Sequence, residues 1–200
     1  PKICPCCGEA LVKKGPLVFC KNHDGCKEQI VARLTHFASR DAFDIVGLSE
    51  KTINQFYEDL GLRHFSDFYS LTKEKLVGLE KFQDKKAENT ISSIEKSKHI
   101  EFARFLYGLG ISEVGIKTAK DLAKTFKTLD GLKNASFEEI LQVEDVGEII
   151  AQNIVDFFRD ENNLNEISRL LAVGVTPKHE DNQKSNKFEG LTFVLTGTLP

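Results

Sequence analysis

The chain has 200 residues, lacks methionine altogether and begins at Pro1. A piece of a longer protein is the expectation that follows. No apolar run reaches membrane-spanning length and no signal-peptide pattern opens the chain. Membrane anchoring and secretion are therefore not expected, and a cytoplasmic location is. Cysteine is missing after residue 26: all five, Cys4, Cys6, Cys7, Cys20 and Cys26, lie in the opening stretch. An odd number bunched at one end argues against a disulfide framework and for a reducing compartment. A surplus of positive charge is missing too, since the formal net charge is -3. Its distribution is uneven. Residues 1–40 carry seven basic and three acidic side chains, whereas 41–175 carry 17 basic and 24 acidic ones. Any nucleic-acid contact in the middle must use local patches and backbone groups, not a general basic face. What remains, 40% hydrophobic and 28% charged residues, is a globular composition long enough for one or two small domains.

Cys4 and Cys7 form a Cys-x2-Cys knuckle, and Cys20 and Cys26 follow as Cys-x5-Cys. Two short-spaced pairs around a small loop can wrap a tetrahedral zinc ion, with sulfurs about 2.3 Å from the metal. A segment of roughly 25 residues buries too little core to fold unaided, so metal binding has to supply the folding free energy. Residues 1–30 are therefore predicted to form a zinc finger ligated by Cys4, Cys7, Cys20 and Cys26. Four thiolates close the coordination shell, which makes the zinc structural. Cys6 is left over, because it cannot easily point at the same ion as its neighbour Cys7 and Cys4. His23 is a possible substitute ligand, but four thiols already complete the shell. Gly8 and Gly25 suit tight turns beside the sulfurs. The competing reading is a set of free, buried thiols; paired short spacings favour the metal.

Beyond the cysteines, four stretches repeat: "GLSEKTI" from Gly47, "KFQDKKA" from Lys81, "EVGIKTA" from Glu113 and "DVGEIIA" from Asp145. Their starts are 34, 32 and 32 residues apart. Each has an apolar second residue (Leu48, Phe82, Val114, Val146), and apolar residues recur at matching offsets before and after it. That agreement of register is an internal repeat. Thr72 and Ser136 are predicted helix N-caps, and Ser136 with Glu139 makes a capping-box pattern. Helical apolar spacing flanks each loop, so each repeat is predicted to be helix, tight turn, helix.

The repeat resembles the helix-hairpin-helix motif. A hairpin turn leading into a helix N-terminus presents unpaired N–H groups that can hold a DNA phosphate. Gly47, Ser49, Lys51 and Thr52 of the first loop fit this use. So do Lys81, Lys85 and Lys86 of the second, and Gly115, Lys117 and Thr118 of the third. The fourth loop keeps Gly147 but is flanked by Asp145 and Glu148, and it is expected to be mainly structural. Such contacts position a protein on DNA without reading bases. Connecting helices without touching DNA is the plainer alternative for the first three loops.

Residues 176–188 are polar and are predicted to be a linker. Residues 189–200, "EGLTFVLTGTLP", look like the opening of a BRCT domain, with Leu191–Leu195 as a strand. One strand makes no stable sheet, so this end is expected to be disordered or completed by a neighbour.

The order of the parts resembles the C-terminal region of bacterial NAD-dependent DNA ligases. "CPCCG", "HFASRDAFDIVGLSEK" from His36, "FARFLYGLGISEVG" from Phe102 and "GLTFVLTGTL" carry the likeness. The resemblance implies a mainly α fold: a Cys4 zinc finger (1–30), a four-repeat helix-hairpin-helix domain (31–175), a linker (176–188) and a truncated BRCT strand (189–200). It implies part of a nick-sealing enzyme of DNA replication and repair, acting as a monomer on nicked duplex DNA. NAD and magnesium would bind outside this chain. The family's nucleotidyl lysine lies in Lys-x-Asp-Gly, which is absent here. No catalytic residue is assigned, and the chain alone is expected to be inactive. A DNA-binding module of another repair or recombination protein is the alternative, and a protein-interaction scaffold with a structural zinc is a third reading.

Overall fold

The first 26 residues fold around their own cysteines. In the computed structural model, which describes residues 1–80 and 82–178, β1 (Leu11–Lys14) pairs antiparallel with β2 (Leu17–Cys20), setting Leu11 opposite Cys20. Cys26 is the N-cap of α1 (Lys27–Ala38). This helix carries the chain out of the finger. Its buried side chains, Ile30, Val31, Leu34, Phe37 and Ala38, recur at helical spacing and enter the main core. The boundary expected at residue 30 thus falls inside a helix that finger and helical domain share.

The remainder is mostly helical. It comprises α2 (Glu50–Asp59), a 3-10 helix (Phe65–Ser70), α3 (Lys73–Val77), α4 (Asp84–Ser97), α5 (Phe102–Gly108), α6 (Ile116–Phe126), α7 (Leu129–Lys133), α8 (Phe137–Leu141), α9 (Glu148–Arg159) and α10 (Glu161–Ala172). The pairs α1–α2, α3–α4, α5–α6 and α8–α9 pack on each other, four hairpins at the repeat positions. Thr72 and Ser136 cap α3 and α8 as the sequence indicates, with the full capping box at Ser136 and Glu139. The first hairpin departs from the pattern. Residues 39–49 separate α1 from α2, and Phe43 sits in a turn, not in a helix.

Two short strands, β3 (His99–Glu101) and β4 (Thr176–Lys178), pair in parallel. The Thr176 N–H donates to the Lys98 carbonyl at 2.7 Å. This corrects the expected start of the linker: residues 176–178 belong to the folded domain. Three residues including a proline are too few to show strand periodicity. The rest of the linker, the Leu191–Leu195 stretch and Lys81 lie outside the described residues. Among the described residues, no helix is long and apolar enough to cross a membrane.

Phe37 joins the parts. It is fully buried and stacks on Phe43 and Phe65 with ring centroids 3.8 and 4.5 Å away. Gly108 of α5 lets the first loop come close, since an added Cβ would lie 2.7 Å from the Phe43 ring. Glu166 of α10 is buried but satisfied: it accepts from the Phe65 N–H at 2.5 Å and meets His64 Nδ1 at 2.9 Å. A buried carboxylate persists only with such partners.

Candidate nucleic-acid interface and metal centre

The four expected ligands converge. Their Sγ atoms all lie within 4.8 Å of one another. The Cys4 and Cys26 sulfurs are 3.9 Å apart, and those of Cys7 and Cys20 are 3.6 Å apart. A tetrahedron of about 2.3 Å bonds to a central ion has edges of about 3.8 Å. The cluster therefore has the size of one ion's shell and is far too wide for disulfide bonds. Cys6 is exposed, and His23 lies exposed in the finger loop, outside the cluster. At the knuckle, Gly8 takes φ 76° and donates its N–H to the Cys4 carbonyl at 2.9 Å. That left-handed turn brings Cys7 back toward Cys4.

The sulfurs sit in different electrostatic surroundings. The backbone amides of Cys7 and Cys6 pull the Cys4 thiol down to about 7, which favours the thiolate that binds metal. The Gln29 amide, in the first turn of α1, pulls the Cys26 thiol down. Burial and the neighbouring Cys6, Cys7 and Cys4 thiols outweigh it and push Cys26 up to about 12. Crowding keeps the proton on Cys26, and a divalent cation among the sulfurs would displace it.

The hairpin loops lie at the start of α2, α4, α6 and α9. Gly47 adopts φ 89° at the head of the first loop, and Glu113 and Asp145 adopt φ 63° and 60° at the equivalent positions. The left-handed turn thus survives where glycine has been replaced. In the first loop, Ser49 is the N-cap of α2 and its Oγ accepts from the Thr52 N–H at 3.3 Å. Thr52 is buried, with its hydroxyl 3.1 Å from Ser49 Oγ. Thr52 therefore faces the core and does not present a hydroxyl to a ligand; Lys51 next to it is exposed.

The other three helix starts differ from α2. Their N-caps, Gln83, Gly115 and Gly147, give no side-chain hydrogen bond. Gly115 and Gly147 have open space where a Cβ would stand. First-turn N–H groups there are left for an outside acceptor, in the favourable field of the helix dipole. Around α4, Lys85 is exposed, and the Lys86 ammonium lies 4.0 Å from the Phe82 ring centroid. Around α6, Thr118 is half-buried, and the exposed Lys117 pairs with Asp145 of the fourth loop. Asp145 raises the Lys117 pKa, so its charge is secure. The fourth loop presents Asp145 and Glu148 beside an exposed Ile149, a poor surface for phosphate.

Some residues that hold the loops escape a sequence reading. Gln55 Nε2 of α2 donates to the Glu80 carbonyl of the second loop at 3.5 Å. Asn153 Nδ2 of α9 donates to the Ser112 carbonyl of the third loop at 3.2 Å. Both occupy the same repeat position, eight residues after Gly47 and Asp145 respectively. Aligning the repeats for side-chain amides would have exposed that signal.

The architecture is that of a helix-hairpin-helix domain joined through α1 to a four-cysteine knuckle. The helix-hairpin-helix motif family matches residues 104–167, the third and fourth hairpins. Over its whole length the chain is similar to DNA ligases. It is 49% identical over 200 residues to DNA ligases of Clostridium perfringens and Clostridium novyi, and 48% identical to DNA ligase 2 of Clostridium acetobutylicum. Each alignment covers all of this chain and 30% of the relative. The chain thus spans about 30% of the length of the relatives it matches, and its close homologues are DNA ligases.

Proposed function

We propose that the chain is the DNA-gripping part of an NAD-dependent DNA ligase, holding backbone phosphates on both sides of a nick. The observation that carries this reading is the set of helix starts without side-chain caps at α4 and α6, with exposed Lys85 and Lys117 in their first turns. Lys51 adds a cation at the start of α2, and Lys86 and Thr118 stand beside the second and third loops. Lys81 completes the proposed set from the sequence alone. Backbone amides bind phosphate without a basic surplus, which reconciles the function with a net charge of -3. These contacts orient the duplex and read no bases.

Cys4, Cys7, Cys20 and Cys26 would hold a structural zinc, because an all-thiolate shell of this size suits zinc and leaves no open position. The ion would supply folding free energy to the finger; its chemistry is not catalytic here. The chain's own residues bind and position DNA. NAD and magnesium would act elsewhere in the ligase, and residues 189–200 would begin a BRCT domain. The protein works as a monomer in the cytoplasm.

Fluorescence anisotropy with nicked, intact and single-stranded DNA at several salt concentrations tests the reading. Salt-sensitive binding to duplex, tighter at a nick, is expected. Lys117→Glu should weaken binding about equally on unrelated sequences and flatten the salt slope by about 0.9 for each phosphate no longer neutralised. Binding absent from every duplex, or indifferent to salt, would overturn it.

A further inference from the structure

The first hairpin loop is built unlike the others. In the second, third and fourth loops, the apolar plug residue closes its own turn. The N–H groups of Phe82, Val114 and Val146 donate to the carbonyls of Leu79, Ile111 and Val143 at 3.2, 3.1 and 3.1 Å. The first loop has no equivalent bond from Leu48 to Ile45 among the described residues. It also carries two left-handed residues, Asp44 at φ 50° and Gly47 at φ 89°. A non-glycine residue in that region is strained and persists only where its surroundings hold it.

Two distant side chains do hold it. Ser93 of α4 accepts from the Val46 N–H at 2.8 Å, and its hydroxyl donates to the Asp44 carbonyl at 3.3 Å. One oxygen thus uses both donor and acceptor capacity across the bend. On the other side, Arg104 of α5 donates from Nε to the Ala42 carbonyl at 2.9 Å and from Nη2 to the Arg40 carbonyl at 2.5 Å. Bonds to a charged guanidinium are among the stronger kind. Backbone from Arg40 to Val46 is therefore clamped between the second helix of one hairpin and the first helix of the next.

We propose that Ser93 is a positioning residue for DNA binding: it sets the first loop so that Lys51 and the start of α2 meet a phosphate. The inference rests on the phosphate-gripping reading above. Ser93 itself touches no DNA. Its hydroxyl braces Asp44 and Val46, on either side of Ile45, in the one loop that, among the described residues, lacks the backbone closure of the others. Arg104 fixes the opposite end of the same bend, so the register of the loop depends on α4 and α5 being docked.

The test uses the whole 200-residue chain with four variants: Ser93→Ala, Ser93→Thr, Lys51→Gln and the double variant Ser93→Ala/Lys51→Gln. Duplex affinity is measured across a salt series, and amide exchange is followed at Val46. Ser93→Ala should speed Val46 exchange and weaken binding about three- to tenfold, the range of one or two lost hydrogen bonds. It should flatten the salt slope as Lys51→Gln does, by about 0.9. Ser93→Thr, which keeps the hydroxyl, should restore both. The double variant should bind no more weakly than Lys51→Gln alone, because Ser93 acts through that lysine. Unchanged Val46 exchange in Ser93→Ala overturns the clamp. Faster exchange with full affinity, or an additive loss in the double variant, overturns the positioning role and leaves Ser93 a stabilising residue. If Lys51→Gln changes nothing while Lys117→Glu weakens binding, the first hairpin does not touch DNA and the inference falls. If the unaltered chain binds no duplex, the phosphate reading itself has failed.

Discussion

One residue of spacing separates a proposed metal ligand from a bystander. Cys6 and Cys7 are adjacent, yet Cys6 is exposed while the Cys7 sulfur lies 3.6 Å from that of Cys20. Cys7→Ser should abolish stoichiometric zinc and unfold residues 1–30, whereas Cys6→Ser should keep one ion per chain. Metal analysis of the purified variants checks both, and zinc at the parent level in Cys7→Ser would contradict the ligand set. The four clustered cysteines are legible in the sequence because the loops are short and a metal shell tolerates only certain spacings. The fate of Thr52 is not legible there. It sits in the same Lys-Thr pair, at the same helix position, that the third repeat shows at Lys117 and Thr118, but packing buries Thr52 where Thr118 is only half-buried. Ser49→Ala is expected to cost about 1 kcal/mol of stability through the lost cap of α2, measured by chemical denaturation. A change well below half of that would argue that Ser49 does not cap the helix.

At the scale of single elements, caps and turns are written locally. Thr72 and Ser136 follow from their spacing alone, because a capping side chain acts within its own helical turn. The backbone N–H of Ser136, and then its hydroxyl, hold the Glu139 carboxyl below the ordinary glutamate value. A depressed native pKa contributes stability above the unfolded value, and that contribution disappears as pH falls through the native one. Glu139→Gln should therefore lower the Tm at neutral pH, and the gap from the parent should close on acidification. A gap that stays constant from neutral to acid pH would show that the carboxylate has no part in the cap. Elements without a strong local period leave no such mark. β3 and β4 are three residues each, and their pairing joins segments far apart in sequence, so neither strand announces itself.

On the scale of the whole molecule, the described residues form two apolar clusters of unequal independence. The finger's cluster consists of Cys4, Cys20 and Cys26 with Cys7 and Leu11 packed against it. The main core runs from Ile30 of α1 to Val175 and owes nothing to the cysteines. A zinc chelator should therefore release residues 1–26 to fast amide exchange while leaving most helical circular dichroism in place. The first turn of α1, whose N-cap is Cys26, should fray with the finger. Loss of most helical signal on chelation would show that the two clusters fold as one. Phe37 marks the opposite dependence. It touches Phe43 and Phe65 from α1, so the shared helix ties the finger's position to the hairpin core.

By itself the sequence determined which four cysteines cluster, the number of hairpins, and the caps at Thr72 and Ser136. All of these depend on residues within a few positions of one another or on a pattern that recurs along the chain, where spacing and geometry are nearly the same thing. Only the tertiary structure decided that Lys117 pairs with Asp145, that Glu166 accepts from the Phe65 N–H, that residues 176–178 join the fold, and that Ser93 and Arg104 clamp the first loop. Most of these are bonds from a side chain or an amide to a backbone group tens of residues away. A carbonyl looks the same on every residue, so its choice of partner is written in the packing of the helices and not in the letters beside it.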